Sequence, residues 1–252
     1  MDRDFEIMLD LMDRAFREYE SSMHDKPYLA QLSFGYTFRY KEKNIYQALI
    51  QKLAKVQSTL RAAYCLFKNG YVQEQAILHR VIDELNEDIW FLVYAVTNDR
   101  ITELHKRYLE AFWEEEIDEC GNMMNSKQKR PMIPRKKIRA YLAHVESAFL
   151  DPSRGIVLSR TLSKTYSGFV HGASPQVMDM YGGNPPHFHT KGMLGTPRIE
   201  EYLYDLWNYF YRTYLSHIAV AKAFGSEKHV EILTEYKVQF EKKAGKDYGN
   251  AT

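Results

Sequence analysis

Apolar residues recur at three- and four-residue spacing along most of this chain, which is the periodicity of one helix face. Phe5, Met8, Leu9, Met12, Phe16 and Tyr19 mark a first helix over residues 3–23. Ile45, Leu49, Val56, Leu60, Ala63 and Phe67 mark a second over 42–68, which Asn69-Gly70 stops. The run 72–97 is the strongest. Leu78, Val81, Ile82, Leu85, Ile89, Leu92, Val93 and Val96 fall on one face, and Trp90, Phe91 and Tyr94 cover much of the other. A helix apolar on so much of its surface belongs in the middle of a bundle. Further helical patterns cover 100–119, 135–149, 155–171, 197–224 and 227–243. Thr196-Pro197 gives a start signal and Gly225-Ser226 a stop followed by a cap.

Two stretches break this rhythm. Residues 24–40 contain Pro27 and Gly35, and Phe34, Tyr36, Phe38 and Tyr40 alternate there, so we expect a loop holding a short extended segment packed on the bundle. Residues 172–196 form the second break. Residues 172–197 contain five of the chain's 13 Gly and four of its 8 Pro, and His187 and His189 lie there beside the helix-ending His171. A long irregular loop inside a helical domain usually carries a function. Strand signals are weak throughout. The expected fold is all-α, a single helical domain over 1–252 with about seven to eight helices.

Composition narrows the class only modestly. A hydrophobic content of 45% and a charged content of 27% suit a water-soluble globular protein, and the net charge is +1. No run approaches the length of a membrane span, and the acidic amphipathic start is unlike a signal or transit peptide. Cys65 and Cys120 match no metal or redox spacing, so a reducing cytoplasm is expected. The apolar run around Cys65 predicts a buried thiol.

Candidate chemistry sits in four places. Arg80 and Glu84, four apart, can pair on one helix face and orient an anionic ligand. His171, four residues after Ser167, lies at a helix C-terminus, where the dipole favours its charged form, as a general acid or a phosphate contact needs. His187 and His189 could hold a metal if His171 completed the set; this gives a weaker, metal-dependent hydrolase alternative, and no cofactor is otherwise called for. Between Glu119 and Glu146 no acidic residue occurs, and Lys127, Lys129, Arg130, Arg135, Lys136, Lys137 and Arg139 supply seven positive charges. Such a stretch can follow a nucleic-acid backbone, or be neutralised by the acidic cluster at 114–119 or by a partner subunit.

The combination Leu78-x-Arg80-x-x-x-Glu84 and, much later, Tyr166-Ser167-x-x-Val170-His171-Gly172 resembles HEPN-like helical domains. It is closest to an uncharacterised bacterial branch with an Arg-x-x-x-Glu helix and a Ser-x-x-Val-His helix end. The resemblance covers about residues 42–224. It implies a four-helix core over 42–68, 72–97, 155–171 and 197–224, a homo-oligomer, and metal-independent RNA cleavage in a toxin–antitoxin or phage-defence setting. By this resemblance His171 is the general acid or base. The family's arginine, four to six residues before its histidine, is missing here: Lys164 lies seven before His171, so Arg80 or Lys164 would stabilise the phosphorane. Tyr166 and Ser167 would complete the pocket. The contrasting expectation is a non-catalytic scaffold that binds nucleic acid, an antitoxin-like protein or another protein partner.

Overall fold

A computed structural model describes residues 2–32, 35–116, 124–146 and 164–245. The chain folds as an all-α bundle, as its periodicity predicts. The principal helices are α1 (Asp2–Ser22), α2 (Ile45–Lys68), α3 (Val72–Thr97), α4 (Glu103–Trp113) and α5 (Arg135–Val145). They are followed by α6 (residues 164–170), the short α7 (Ser174–Met178), α8 (Ile199–Ala223) and α9 (Glu227–Lys243). Among the described residues no helix is long and apolar enough to cross a membrane.

Helices α2, α3 and α8 form the centre. Leu49, Leu53, Leu60, Ile82, Ile89, Phe91 and Phe210 are fully buried there. Each such side chain contributes about 1.5–3 kcal/mol through apolar burial. Helix α1 closes one side by stacking Phe5 on Phe210 at 4.2 Å, while Tyr64 meets both rings edge-on. Helix α9 adds Phe240, stacked 5.1 Å from Trp207. Asn44 caps α2 by accepting from the Tyr46 and Gln47 amides at 2.9 and 3.4 Å. This places the helix start at Ile45, three residues after the periodicity put it.

Several boundaries and environments differ from expectation. Helix α4 ends at Trp113 and does not continue through the acidic run. The Glu114, Glu115 and Glu116 side chains turn instead to Gln128, Arg39 and Arg130. Helix α8 begins at Ile199, because the Thr196 hydroxyl donates to the Met193 carbonyl at 2.7 Å instead of capping the helix. The helical pattern at 155–171 is described only from 164, and Cys120 lies outside the described residues. Cys65 is exposed, not buried, because its position on α2 faces the rim of a crevice with α1.

The two breaks in rhythm also have structure. Tyr28–Leu32 (β1) and Gly35–Arg39 (β2) form an antiparallel hairpin pairing Leu29 with Phe38 and Ala30 with Thr37. The long loop contains α7 and a two-residue pairing of Tyr181–Gly182 (β3) with His187–Phe188 (β4). It is tied down at both ends. The Ala173 amide donates to the Gly168 carbonyl at 2.9 Å, and the Met193 amide to the Gly70 carbonyl at 2.8 Å. A Cβ on Gly70 would lie 2.7 Å from the Leu194 nitrogen, so only glycine permits this approach; its φ of +79° makes the same demand.

Candidate functional site

The six side chains expected to make a catalytic pocket are not joined into one. Arg80 Nε lies 3.5 Å from Glu84 Oε1, with the two side chains 30% and 38% exposed. That is a half-solvated i,i+4 pair, contributing about 0.5 kcal/mol or less. His171 follows the last turn of α6 and is exposed; its amide donates to the Ser167 carbonyl at 3.1 Å. Lys164 is also exposed, and Ser167 is half-buried. Among the described residues no hydrogen bond or ion pair links Arg80 or Glu84 to Lys164, Ser167 or His171.

Tyr166 alone of the six reaches the interior. Its ring edge meets His79 and Tyr209, each at 5.7 Å, and its hydroxyl donates to Asp205 at 3.3 Å. It caps a polar seam between α3 and α8 that periodicity did not reveal. Tyr209 donates to Asp83 Oδ2 at 2.8 Å, and Arg212 Nη1 lies 2.6 Å from Asp83 Oδ1. The His79 ring stacks on Tyr209 at 3.8 Å. Gln75 Nε2 lies 3.3 Å from the Tyr202 carbonyl, which can only accept, so the amide nitrogen also donates to His79 Nε2 at 3.2 Å. The His79 proton therefore sits on Nδ1. Further along, Asn86 donates to Thr213 and accepts from Ser216, at 3.2 and 2.8 Å.

The electrostatics of the seam follow from burial. Desolvation, reinforced by the Arg212 charge, pushes His79 down to about 3, so it is neutral near pH 7. Burial raises Asp83 against the opposing pull of Arg212 and Tyr209, and it raises Asp205 despite the Tyr166 hydrogen bond. Burial likewise keeps the Tyr166 and Tyr209 hydroxyls protonated. A neutral, enclosed imidazole flanked by protonated phenols orients helices well. It offers no exposed acid or base to a substrate.

The basic segment divides into two kinds of residue. Arg135 lies 2.5 Å from Glu87, is also bonded to Asp88, and donates to the Glu84 carbonyl at 2.8 Å. Arg139 donates to Glu87 at 2.8 Å, and Lys52 reaches Asp88 at 2.7 Å. Arg130 binds Glu116 and the Ala111 carbonyl. These three arginines fasten 130–139 to α3 and α4. Lys127, Lys129, Lys136 and Lys137 are exposed. In the long loop the His187 and His189 rings lie 4.4 Å apart, and His187 Nδ1 contacts the Pro185 carbonyl at 2.9 Å. Among the described residues no group of three His, Cys, Asp or Glu converges to hold a metal ion, and His171 does not join the loop pair.

The hairpin carries a surface that the alternation of aromatics suggested but placed on the wrong side. Tyr28, Leu29, Tyr36 and Phe38 are 51–68% exposed. Leu29, Tyr36 and Phe38 share one face, and Ala30 turns inward. Beside them opens a cleft of about 400 Å³ lined by Phe38, Arg39, Lys43, Trp113, Glu115 and Arg130. Arg39 closes on Glu115 with a bidentate pair at 2.5 and 2.7 Å. The Trp113 indole N–H in the cleft wall has no partner among the described residues.

The fold and site thus define an all-α helical bundle with a buried polar seam and a protruding aromatic hairpin. Comparison with known protein families, with curated proteins and with solved structures gives no match.

Proposed function

We propose that the protein is a non-catalytic helical scaffold that binds a protein partner. One observation carries this reading: the arginines of the basic segment, which a nucleic-acid surface needs, are closed on carboxylates of the fold. Arg135 and Arg139 close on Glu87 and Asp88 and Arg130 on Glu116, while Arg80 makes a half-solvated pair with Glu84. A closed guanidinium fork no longer offers the bidentate grip that phosphate recognition uses. The general acid or base expected at His171 stands in solvent, and among the described residues its ring has no hydrogen bond to Arg80, Glu84, Lys164, Tyr166 or Ser167.

The apolar side chains of the hairpin favour a protein partner over single-stranded nucleic acid. Stacking surfaces for bases are flanked by open cationic grooves. Here Arg39 beside the aromatic face is paired with Glu115, and Arg130 in the same cleft with Glu116. The cleft therefore carries charges of both signs around an apolar floor, as protein interfaces do at their rims. The decisive experiment is RNA cleavage by the wild type and by His171→Ala, alongside salt titration of RNA binding by Lys136→Glu/Lys137→Glu. The expected result is no His171-dependent turnover and no salt-sensitive complex that the double variant abolishes. Cleavage that disappears with His171 would overturn the proposal.

A further inference from the structure

We propose that β1 is a homodimerisation edge, pairing antiparallel with β1 of a second copy about a two-fold axis at Ala30. This deepens the scaffold reading and rests on it, by naming the partner as another copy of this chain. Only two residues separate Leu32 from Gly35, so that closing pair must exchange its own backbone hydrogen bonds. By alternation Ala30–Thr37 and Tyr28–Arg39 do the same. The N–H and C=O groups of Leu29 and Gln31 then point away from β2, along the outer edge. Among the described residues no other backbone group pairs with them, and the sheet has two strands only.

An unguarded edge of this kind is unusual. Edge strands are normally protected by a charge, a proline, a bulge or a covering element. The β1 sequence Tyr-Leu-Ala-Gln-Leu has no charge and no proline, its register has no bulge, and no helix packs along it extensively. A two-stranded ribbon is also marginal by itself and gains stability from further strands.

The occupant must be extended, uncharged and apolar on alternate positions, and β1 itself has that chemistry. With Ala30 on the axis, Leu29 faces the partner's Gln31 in a hydrogen-bonded pair, and Gln31 faces the partner's Leu29. Together these give about four intermolecular backbone hydrogen bonds. Tyr28 falls beside the partner's Leu32 on the bundle-facing side. On the outer face Phe38, Leu29 and the partner's Gln31 and Tyr36 line up in one row across four strands. No like charges meet anywhere along the seam, which suits an isologous contact.

The test is light scattering and sedimentation over a wide concentration range, with variants aimed at the edge. The wild type should form a two-chain species with a dissociation constant on the order of micromolar, as a contact smaller than a standard interface gives. Gln31→Pro removes a donor that the hairpin does not use, so helicity and melting temperature should persist while self-association weakens at least about tenfold. Gln31→Lys, which needs no special backbone geometry, places two like charges near the axis. It should weaken the dimer at low salt and less at high salt. A wild type that stays monomeric at hundreds of micromolar overturns the inference, as does a dimer indifferent to both substitutions; either leaves the scaffold reading standing with a different protein as partner. His171-dependent RNA cleavage by a chain that still dimerises through Gln31 would instead sink the scaffold reading and leave the interface intact.

Discussion

Replacing Arg135 with Met separates a structural role for the basic segment from a binding role. Arg135 contacts Glu87, Asp88 and the α3 backbone together. The Asp88 and Glu87 side chains are 8% and 12% exposed, so both carboxylates depend on fixed cations rather than on water. Removing one member of a buried pair typically costs about 3–5 kcal/mol, because the remaining charge is stranded. Here Lys52 stays 2.7 Å from Asp88, and Arg139 stays 2.8 Å from Glu87. With those cations retained, we expect a loss of about 2–3 kcal/mol, or a melting temperature lower by about 5–10 °C for a chain of this size. Urea unfolding of Arg135→Met, Asp88→Asn and the double variant measures this directly, and the pair should be coupled by about 1 kcal/mol or more. A loss below about 0.5 kcal/mol with additive effects would refute the clamp, because that is how an isolated surface cation behaves.

Two further outcomes test other parts of the fold. Burial holds both His79 and His217 down at about 3, well below the ordinary histidine value near 6.5. Between those two pH values the unfolded chain binds more protons than the native one, so stability should fall as pH drops below about 6.5. The slope approaches about 1.4 kcal/mol per pH unit for each histidine. Urea midpoints at pH 7 and 5.5 should show this loss, and His217→Leu should shrink it; an unchanged slope in that variant would mean His217 is not held neutral. Gly70→Ala forces a Cβ to 2.7–2.8 Å from the Leu194 and Met193 amide nitrogens at a φ of +79°. It should cost about 1–3 kcal/mol and accelerate proteolysis within 189–195, whereas wild-type protease resistance would show that the loop does not depend on this contact.

The bundle was largely legible because apolar spacing reports directly on which face is buried. Helix α3 matches its expected bounds of 72–97, and α9 matches 227–243. Side-chain chemistry at the ends was harder to read. Whether Glu114–Glu116 extend α4 depends on Arg39 and Arg130, residues 76 and 14 positions away for Glu115 and Glu116 respectively. The hairpin aromatics alternate as a strand requires, but alternation alone does not say which face is covered. The candidate site was the least legible part. Arg80 and Glu84 are charges on an apolar helix, yet they face partly outward. The polar residues that matter inside are His79, Asp83 and Asn86, buried at positions i, i+4 and i+7 of that same helix. Apolar periodicity does not mark them, because it counts every polar residue as solvent-facing. The available signal was that a polar stripe at helical spacing lay next to an apolar one on a helix with almost no free surface.

That stripe explains why α3 and α8 pair in one register. A helix apolar around most of its circumference can pack against a neighbour in many rotations and axial positions at similar cost. The seam removes that freedom. Gln75 meets Tyr202, Asp83 meets Tyr209 and Arg212, and Asn86 meets Thr213 and Ser216, so residue numbers rise together and the two helices run parallel. Sliding α8 by one turn would break all three links at once, leaving the buried Asp83 carboxylate and the buried Gln75 and Asn86 amides unpaired. Each stranded neutral group costs about 1–3 kcal/mol and a stranded charge more. The penalty for a wrong register is therefore several times the gain from any single correct bond. On this argument the seam contributes more to the uniqueness of the fold than to its net stability. Tyr166, with its edge on His79 and its hydroxyl on Asp205, extends the same constraint to α6 and so fixes where the exposed His171 emerges.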